Sequence, residues 1–245
     1  MLATNRERAR EIGCAAPIAA PSSALVVAVL PENDLRLADE WALGSTRRIV
    51  NKGHLFAEGD ANSNVYKVTS GAICLYKVLT DGRRQIIDFA FEGDLIGLGT
   101  SANQRCNAQA IAPTDLKCLP LAFLMKAATQ NATIALGLYE AISRELVATR
   151  EHLQCVGKRG AAERLAIFLV MLSRRNLVRG EDALSIQLPM TRVDIADFLG
   201  LTIETVSRTF TKLKYQEMIS IDRNTTIHLR DPIGLAQMAE GAERV

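Results

Sequence analysis

The stretch from Met190 to Tyr215, MTRVDIADFLGLTIETVSRTFTKLKY, constrains the fold more than any other part of the chain. Two runs with helical spacing meet at a single glycine. Thr191 can cap the first helix, with Asp194 three residues on, a capping box with Asp in place of the usual Glu or Gln. Ile195, Phe198 and Leu199 give that helix an apolar face, and the small Ala196 lets a second helix cross closely. Gly200 stands where a tight turn needs an unhindered backbone. Thr202 caps the second helix, in which Val206, Phe210 and Leu213 turn inward while Ile203, Glu204, Ser207, Arg208 and Lys212 turn outward. This is the pattern of a helix-turn-helix. A hairpin pairing Ile219–Ile221 with Ile227–Leu229 across Asp222-Arg223-Asn224-Thr225 adds a wing.

The outward residues suit the major groove of double-stranded DNA. Arg208 can donate twice to guanine O6 and N7, Glu204 can accept from cytosine N4, and Ser207 can bond either kind of edge. Phosphate repels a carboxylate, so Glu204 belongs against a base, and Ile203 beside it completes the base-reading set. Lys212 and Lys214 suit phosphate, and Thr202 and Arg192 are assigned there too. The formal net charge of +2 carries no nucleic-acid signal by itself. Between Lys158 and Arg230, twelve Lys/Arg stand against eight Asp/Glu, a local excess of four that gives only weak support.

Three different periodicities organise the chain upstream of the motif. Residues 1–23 read as a flexible arm. From Ile49 to Leu121 short apolar stretches such as Val65-Tyr66-Lys67-Val68 and Ile73-Cys74-Leu75-Tyr76 alternate with turn signals, Glu58-Gly59-Asp60, Ser70-Gly71, Asp81-Gly82 and Glu92-Gly93-Asp94. Many short strands at that spacing predict an all-β roll or sandwich, bounded here as 24–130. From Asn131 to Val156 the period becomes helical: Ile134, Leu138, Ile142, Leu146, Thr149, Leu153 and Val156 form one long stripe. Such a stripe either lies on its own domain's core or forms a seam with a second copy, and the spacing alone leaves both open. Gly157 and Gly160 mark the boundary between this helix, 131–157, and a final domain, 158–245. A hinge there would let one domain reorient on the other. The final domain opens with an apolar helix from Ala161 to about Arg175, continues through a strand at Leu184–Leu188, and closes with a short helix after Asp231-Pro232.

Several function classes are excluded on composition and motif. Apolar residues make up 48% of the chain, enough for a packed core. The seven-residue run Ala24–Leu30 is far too short to span a membrane, and Glu7 and Glu11 interrupt the basic start that secretion would need. Five cysteines, at 14, 74, 106, 118 and 155, offer no C-x-x-C pair and read as reduced thiols in a cytoplasmic protein. Cys155, near the hinge, is a candidate redox handle, set against the plainer role of a buried structural thiol. There is no G-x-S-x-G, P-loop, H-E-x-x-H or paired-carboxylate frame, so the chain is not read as an enzyme. No metal site and no cofactor are assigned.

From about residue 30 to the end, the sequence resembles the CRP/FNR superfamily of regulators. LGLTIETVSR, 199–208, is similar to the recognition helix of the FNR and FixK branches, whose Glu-x-x-Ser-Arg triad falls on Glu204, Ser207 and Arg208. The resemblance implies a TTGA half-site. Gly53, Glu58-Gly59-Asp60, Ser70-Gly71, Asp81-Gly82-Arg83 and Phe91-Glu92-Gly93-Asp94-Leu95-Ile96-Gly97 follow the family's cyclic-nucleotide-binding-type roll. The expected fold is therefore α+β: that N-terminal roll, a long dimerisation helix and a C-terminal winged helix-turn-helix. The resemblance settles the stripe in favour of a homodimer and implies contact with RNA polymerase. It also exposes departures. Where cyclic-AMP binders place Gly-Glu, this chain has Gly97-Leu98-Gly99-Thr100, and Cys106 takes the position of the phosphate-binding Arg, with Arg105 one residue away. On the long helix a Thr-Ser pair becomes Thr149-Arg150. Only Cys14 lies in the arm, too few thiols for an iron–sulfur cluster. His54, His152 and His228 read as ordinary surface or packing residues rather than haem ligands. The implied protein is a regulator without a cyclic-nucleotide effector, with a sensor that binds another small molecule in the roll as the alternative.

Overall fold

In the computed structural model, residues 38–222 and 225–241 are described. The arm at 1–23, Cys14 and the tip of the wing at 223–224 lie outside them. The elements run α1 (Ala38–Ala42), β1 (Ser45–Ile49), β2 (His54–Phe56), β3 (Asn64–Ser70), β4 (Ala72–Val78), β5 (Arg84–Phe91), β6 (Leu95–Ile96), β7 (Asn107–Ala110) and β8 (Thr114–Pro120). Helices α2 (Leu121–Gln130), α3 (Ala132–Lys158) and α4 (Ala161–Val178) follow. The chain then forms β9 (Ser185–Gln187), α5 (Arg192–Leu199), α6 (Ile203–Tyr215), β10 (Ile219–Asp222), β11 (Thr226–Leu229) and α7 (Pro232–Glu240).

The first eight strands make the expected roll from two antiparallel sheets, ordered β1-β8-β3-β6 and β2-β7-β4-β5. Alternating side chains such as Val68, Ile73, Leu116 and Ala110 fill the space between the sheets. Gly71 shows why the turn between β3 and β4 needs glycine: its φ is +84°, and a Cβ there would lie 2.3 Å from the Pro113 carbonyl oxygen. Helices α1 and α2 were not foreseen. The apolar residues of α2 continue directly from β8 through Pro120, so no change of period announces the helix. Trp41 and Leu124, one from each, pack with Val65, Leu119, Ile134 and Leu138 into a small separate core.

Helix α3 starts where Asn131 Oδ1 accepts from the Thr133 N–H at 2.9 Å. The chain leaves it at Arg159 in extended conformation, and Glu163 Oε2 accepts from the Gly160 N–H at 2.9 Å to open α4. Helix α3 thus ends at Lys158 and α4 begins at Ala161, with a break between them. The last domain packs α4 against α6 and α7, and α5 against α6, with a sheet ordered β10-β11-β9. Its hairpin register pairs Ile219 with Leu229 and Ile221 with Ile227. The two domains share a core: the Phe89 ring on β5 lies 5.1 Å from Phe198 on α5 and 6.3 Å from Phe168 on α4, centroid to centroid.

Candidate nucleic-acid interface

The reading surface is built from α5 upward. Thr191 Oγ1 accepts from the Asp194 N–H at 3.2 Å, and Asp194 Oδ2 accepts in return from the Thr191 N–H at 2.8 Å. Gly200 takes a left-handed conformation at φ +62°, and its N–H closes on the Ala196 carbonyl. The Leu201 N–H follows it to the same carbonyl at 3.0 Å, which turns the chain sharply toward α6. Arg164, at the start of α4, donates to the Leu199 carbonyl at 2.9 Å and to the Arg159 carbonyl at 2.8 Å. One side chain therefore ties the break between α3 and α4 to the turn and places a cation at the C-terminus of α5.

Thr202 Oγ1 accepts from the Thr205 N–H at 3.2 Å and starts α6. Val206, Phe210 and Leu213 enter the core with Leu165, Leu169, Ile195 and Leu199. The opposite side is solvent-facing and carries Glu204, Ser207, Arg208, Lys212 and Lys214, with Ile203 40% exposed at its N-terminal end. Thr202 and Thr205 face the same end, their hydroxyls 3.0 Å apart. The Glu204 carboxyl is held below its ordinary range by its own backbone N–H, the Thr202 hydroxyl and the positive charge of Arg208, so it stays an acceptor. Thr211, exposed one turn beyond Ser207, was not singled out from the sequence, although its spacing of four from Ser207 puts it on the same outward face; its hydroxyl donates to the Ser207 carbonyl at 3.1 Å.

Other assigned residues sit elsewhere. The Arg192 guanidinium, expected on phosphate, lies 3.4 Å over the centre of the Phe210 ring with a buried Nη1 that has no hydrogen-bond partner among the described residues. Burial lowers its pKa, and it braces α6 from behind rather than reaching outward. Cys155 is 3% exposed, and burial raises its thiol pKa despite the pull of Arg164 and Arg159. The thiolate that oxidation requires is therefore disfavoured, which removes the basis for reading Cys155 as a redox handle.

The stripe on α3 also needs correction. Ile134 and Leu138 are buried in the small core beside Trp41 and Leu124, not on an open seam. Ile142 at 49%, Leu146 at 48% and Leu153 at 69% are exposed, as is Tyr139 at 68%. Tyr139, Ile142, Leu146, Thr149 and Leu153 follow one another at alternating steps of three and four, a heptad seam, and Val156 extends it half-buried. The Thr149 hydroxyl is satisfied within the helix by the Glu145 carbonyl at 2.8 Å.

Among the described residues no helix is long and apolar enough to cross a membrane, and no three His, Cys, Asp or Glu side chains come together to hold a metal ion.

Comparison with known proteins places these features. Residues 163–238 match the Crp-like helix-turn-helix domain, and residues 47–131 match the cyclic nucleotide-binding domain. The nitrogen fixation regulation protein FixK of Azorhizobium caulinodans is 36% identical over 80% of this chain and 80% of its own length. The transcriptional activator protein Anr of Pseudomonas protegens is 35% identical over 80% of this chain and 81% of its own. The solved structure of FixK2 from Bradyrhizobium japonicum superposes with a TM-score of 0.75 at 34% identity, covering 80% of this chain and 96% of that one. These relatives are named as regulators rather than enzymes. With its roll, long helix and winged helix-turn-helix, the chain belongs to the CRP/FNR superfamily of transcriptional regulators, in its FNR/FixK-like branch.

Proposed function

We propose that this regulator is a cytoplasmic transcriptional activator that binds a TTGA-type palindrome in double-stranded DNA as a homodimer and meets RNA polymerase there. The observation that carries the reading is the grouping of Glu204, Ser207 and Arg208 on the exposed first two turns of α6. These turns enter the major groove in a helix-turn-helix, and the three side chains offer an acceptor, a two-way hydroxyl and a bidentate donor in order. Lys212, Lys214 and Thr202 flank them toward phosphate. The exposed seam Tyr139–Ile142–Leu146–Leu153 supports the homodimer, because apolar side chains repeating at heptad spacing are covered by an identical helix at little cost. Two copies would set their reading helices about 34 Å apart, one turn of the duplex. The activating role follows the naming of the Anr relative as an activator.

The reading needs no cyclic nucleotide and no iron–sulfur cluster. Cys106, in the place of a phosphate-binding arginine, is a half-buried thiol raised in pKa by burial and by Glu58, and it faces a cavity. Arg105, the neighbouring cation, is exposed and is not part of that cavity's wall. A gel-shift titration of reduced, effector-free protein on a TTGAT-N4-ATCAA duplex and a scrambled control tests the reading. Specific retardation of the first duplex alone supports it. Equal affinity for both duplexes removes the half-site assignment.

A further inference from the structure

Between the β4–β5 hairpin of the roll and the turn of the helix-turn-helix lies an open cleft of about 570 Å³. Arg83 and Arg84 line it from the roll, and Asp197, Gly200, Thr202 and Thr205 line it from the DNA-binding domain. The hairpin makes a fixed wall. Gly82 turns the chain at φ +83°, the Leu79 N–H closes on the Arg83 carbonyl at 2.8 Å, and Asp81 Oδ1 accepts from the Arg83 N–H at 3.0 Å. Arg84 and Gln85, the next two residues, fasten β5 to Asp197. Hydrogen bonds on both sides of Arg83 therefore set where it stands relative to α6.

The two arginines of the cleft differ in what they are free to do. Arg84 is committed to Asp194 and Asp197. Arg83 pairs with Asp81 at 2.7 Å, but the two side chains are 78% and 48% exposed. A pair so open to solvent contributes little, and an outside anion can compete for the guanidinium. The other wall of the cleft is the first turn of α6. There the Thr202 and Thr205 hydroxyls stand 3.0 Å apart, and the positive end of the helix dipole favours an anion. A reading helix in the major groove has phosphates at its N-terminal end, and Glu204, a proposed base reader, follows Thr202 by two residues. We propose that Arg83 is a DNA-phosphate contact supplied by the roll. The backbone flanking each half-site passes the mouth of the cleft, and one phosphate is held between the Arg83 guanidinium and the Thr202 and Thr205 hydroxyls. The proposal rests on the reading that α6 enters DNA, and it adds a second domain to the interface. DNA then bridges the roll and the helix-turn-helix, so a bound duplex favours the docked arrangement of the two domains.

The experiment is a fluorescence-anisotropy titration of the full chain on the TTGAT-N4-ATCAA duplex and on the scrambled duplex, over a range of salt concentrations. Each phosphate contact contributes about 0.9 to the slope of log affinity against log salt. With one Arg83 in each protomer of a dimer, Arg83→Ala is expected to flatten that slope by about two and to weaken both duplexes at least roughly tenfold at about 0.1 M salt. Arg83→Lys should keep most of the slope, since lysine meets phosphate as a point charge. Asp81→Asn retains the oxygen that accepts from the Arg83 N–H and removes the competing charge, so it should bind both duplexes more tightly. Lys126→Ala takes a cation from the exposed side of α2, outside the cleft, and should leave slope and affinity unchanged. Should Arg83→Ala fail to fold, Asp81→Asn decides. An Arg83→Ala slope equal to that of the unaltered protein, an equal fall in Lys126→Ala, an Arg83→Lys protein as weak as Arg83→Ala, or no gain in Asp81→Asn overturns the proposal. Equal affinity of the unaltered protein for the two duplexes removes the TTGA assignment, while the Arg83 slope still decides the contact. Binding to neither duplex overturns both.

Discussion

Arg84 Nε, on the hairpin of the roll, donates to Asp197 Oδ2 on α5 at 3.0 Å. The same guanidinium pairs with Asp194, the residue that caps α5 through Thr191. The ion pair that joins the domains and the cap that starts the helix-turn-helix therefore share one carboxylate. Gln85 reinforces the link by donating to the Asp197 carbonyl at 2.7 Å.

Replacing Arg84 with alanine leaves Asp194, only 7% exposed, without its cation. The pair is partly screened, with the Arg84 side chain 29% exposed, so the expected loss is about 1–3 kcal/mol rather than the larger cost of a fully buried pair. Urea unfolding of Arg84→Ala against Arg84→Lys checks this. A loss of a few tenths of a kcal/mol would show that the hairpin contact is incidental.

On α6, base reading and phosphate contact separate by mutation. Arg208→Ala is expected to cost about 1–3 kcal/mol on the TTGA palindrome and to relax base choice. Lys214→Ala is expected to weaken specific and random DNA about equally and to flatten the salt dependence of binding. Competition titrations on both duplexes distinguish them. Equal losses on both for both variants contradict the assignment of roles.

Two leucines on α3 have opposite surroundings. Leu146→Glu places a charge on the exposed seam and should convert the proposed dimer to monomer with little loss of monomer stability. Leu138→Ala empties part of the core around Trp41 and Leu124, with an expected cost of about 2–5 kcal/mol and no direct effect on pairing. Sedimentation equilibrium and thermal unfolding together make the comparison. A Leu146→Glu protein that remains dimeric would move the interface away from this seam.

Asp88 gives the protein a pH dependence. Burial, with Asp94 and Glu145 nearby, pushes its pKa up to about 7, against the Phe89 N–H and Arg175, which lower it. The folded state therefore holds a proton that the unfolded chain releases near pH 4. Stability from this group is full below about pH 4 and declines as pH rises toward 7, after which it is level. Asp88→Asn should remove that decline and stabilise the protein at pH 8 by an amount on the order of a few kcal/mol. Unfolding free energies at pH 5 and pH 8 for both proteins test the sign.

The helix-turn-helix was legible because its determinants are local. Thr191, Asp194, Gly200 and Thr202 act on backbone atoms within four residues, and the period of Val206, Phe210 and Leu213 fixes which face of α6 is left outside. The roll's turns were legible for the same reason, as was the hairpin register of Ile219 with Leu229. Helix α2 was not, since its apolar residues run on from β8 without a break in pattern. The stripe on α3 was found but assigned to one side. Sequence period cannot say that Ile134 and Leu138 meet Trp41, more than ninety residues earlier in the chain, while Leu146 meets solvent. Arg192 likewise reads as an exposed cation in sequence, and only the position of Phe210 behind it draws it inward. What the sequence determined by itself was every feature set by hydrogen bonds and periodicity within a few residues. What the tertiary structure decided was burial: the contact of Arg84 with Asp194, the inaccessibility of Cys155 and the charge around Asp88 all depend on segments distant in the chain, and the desolvation that governs them exists only once those segments have packed.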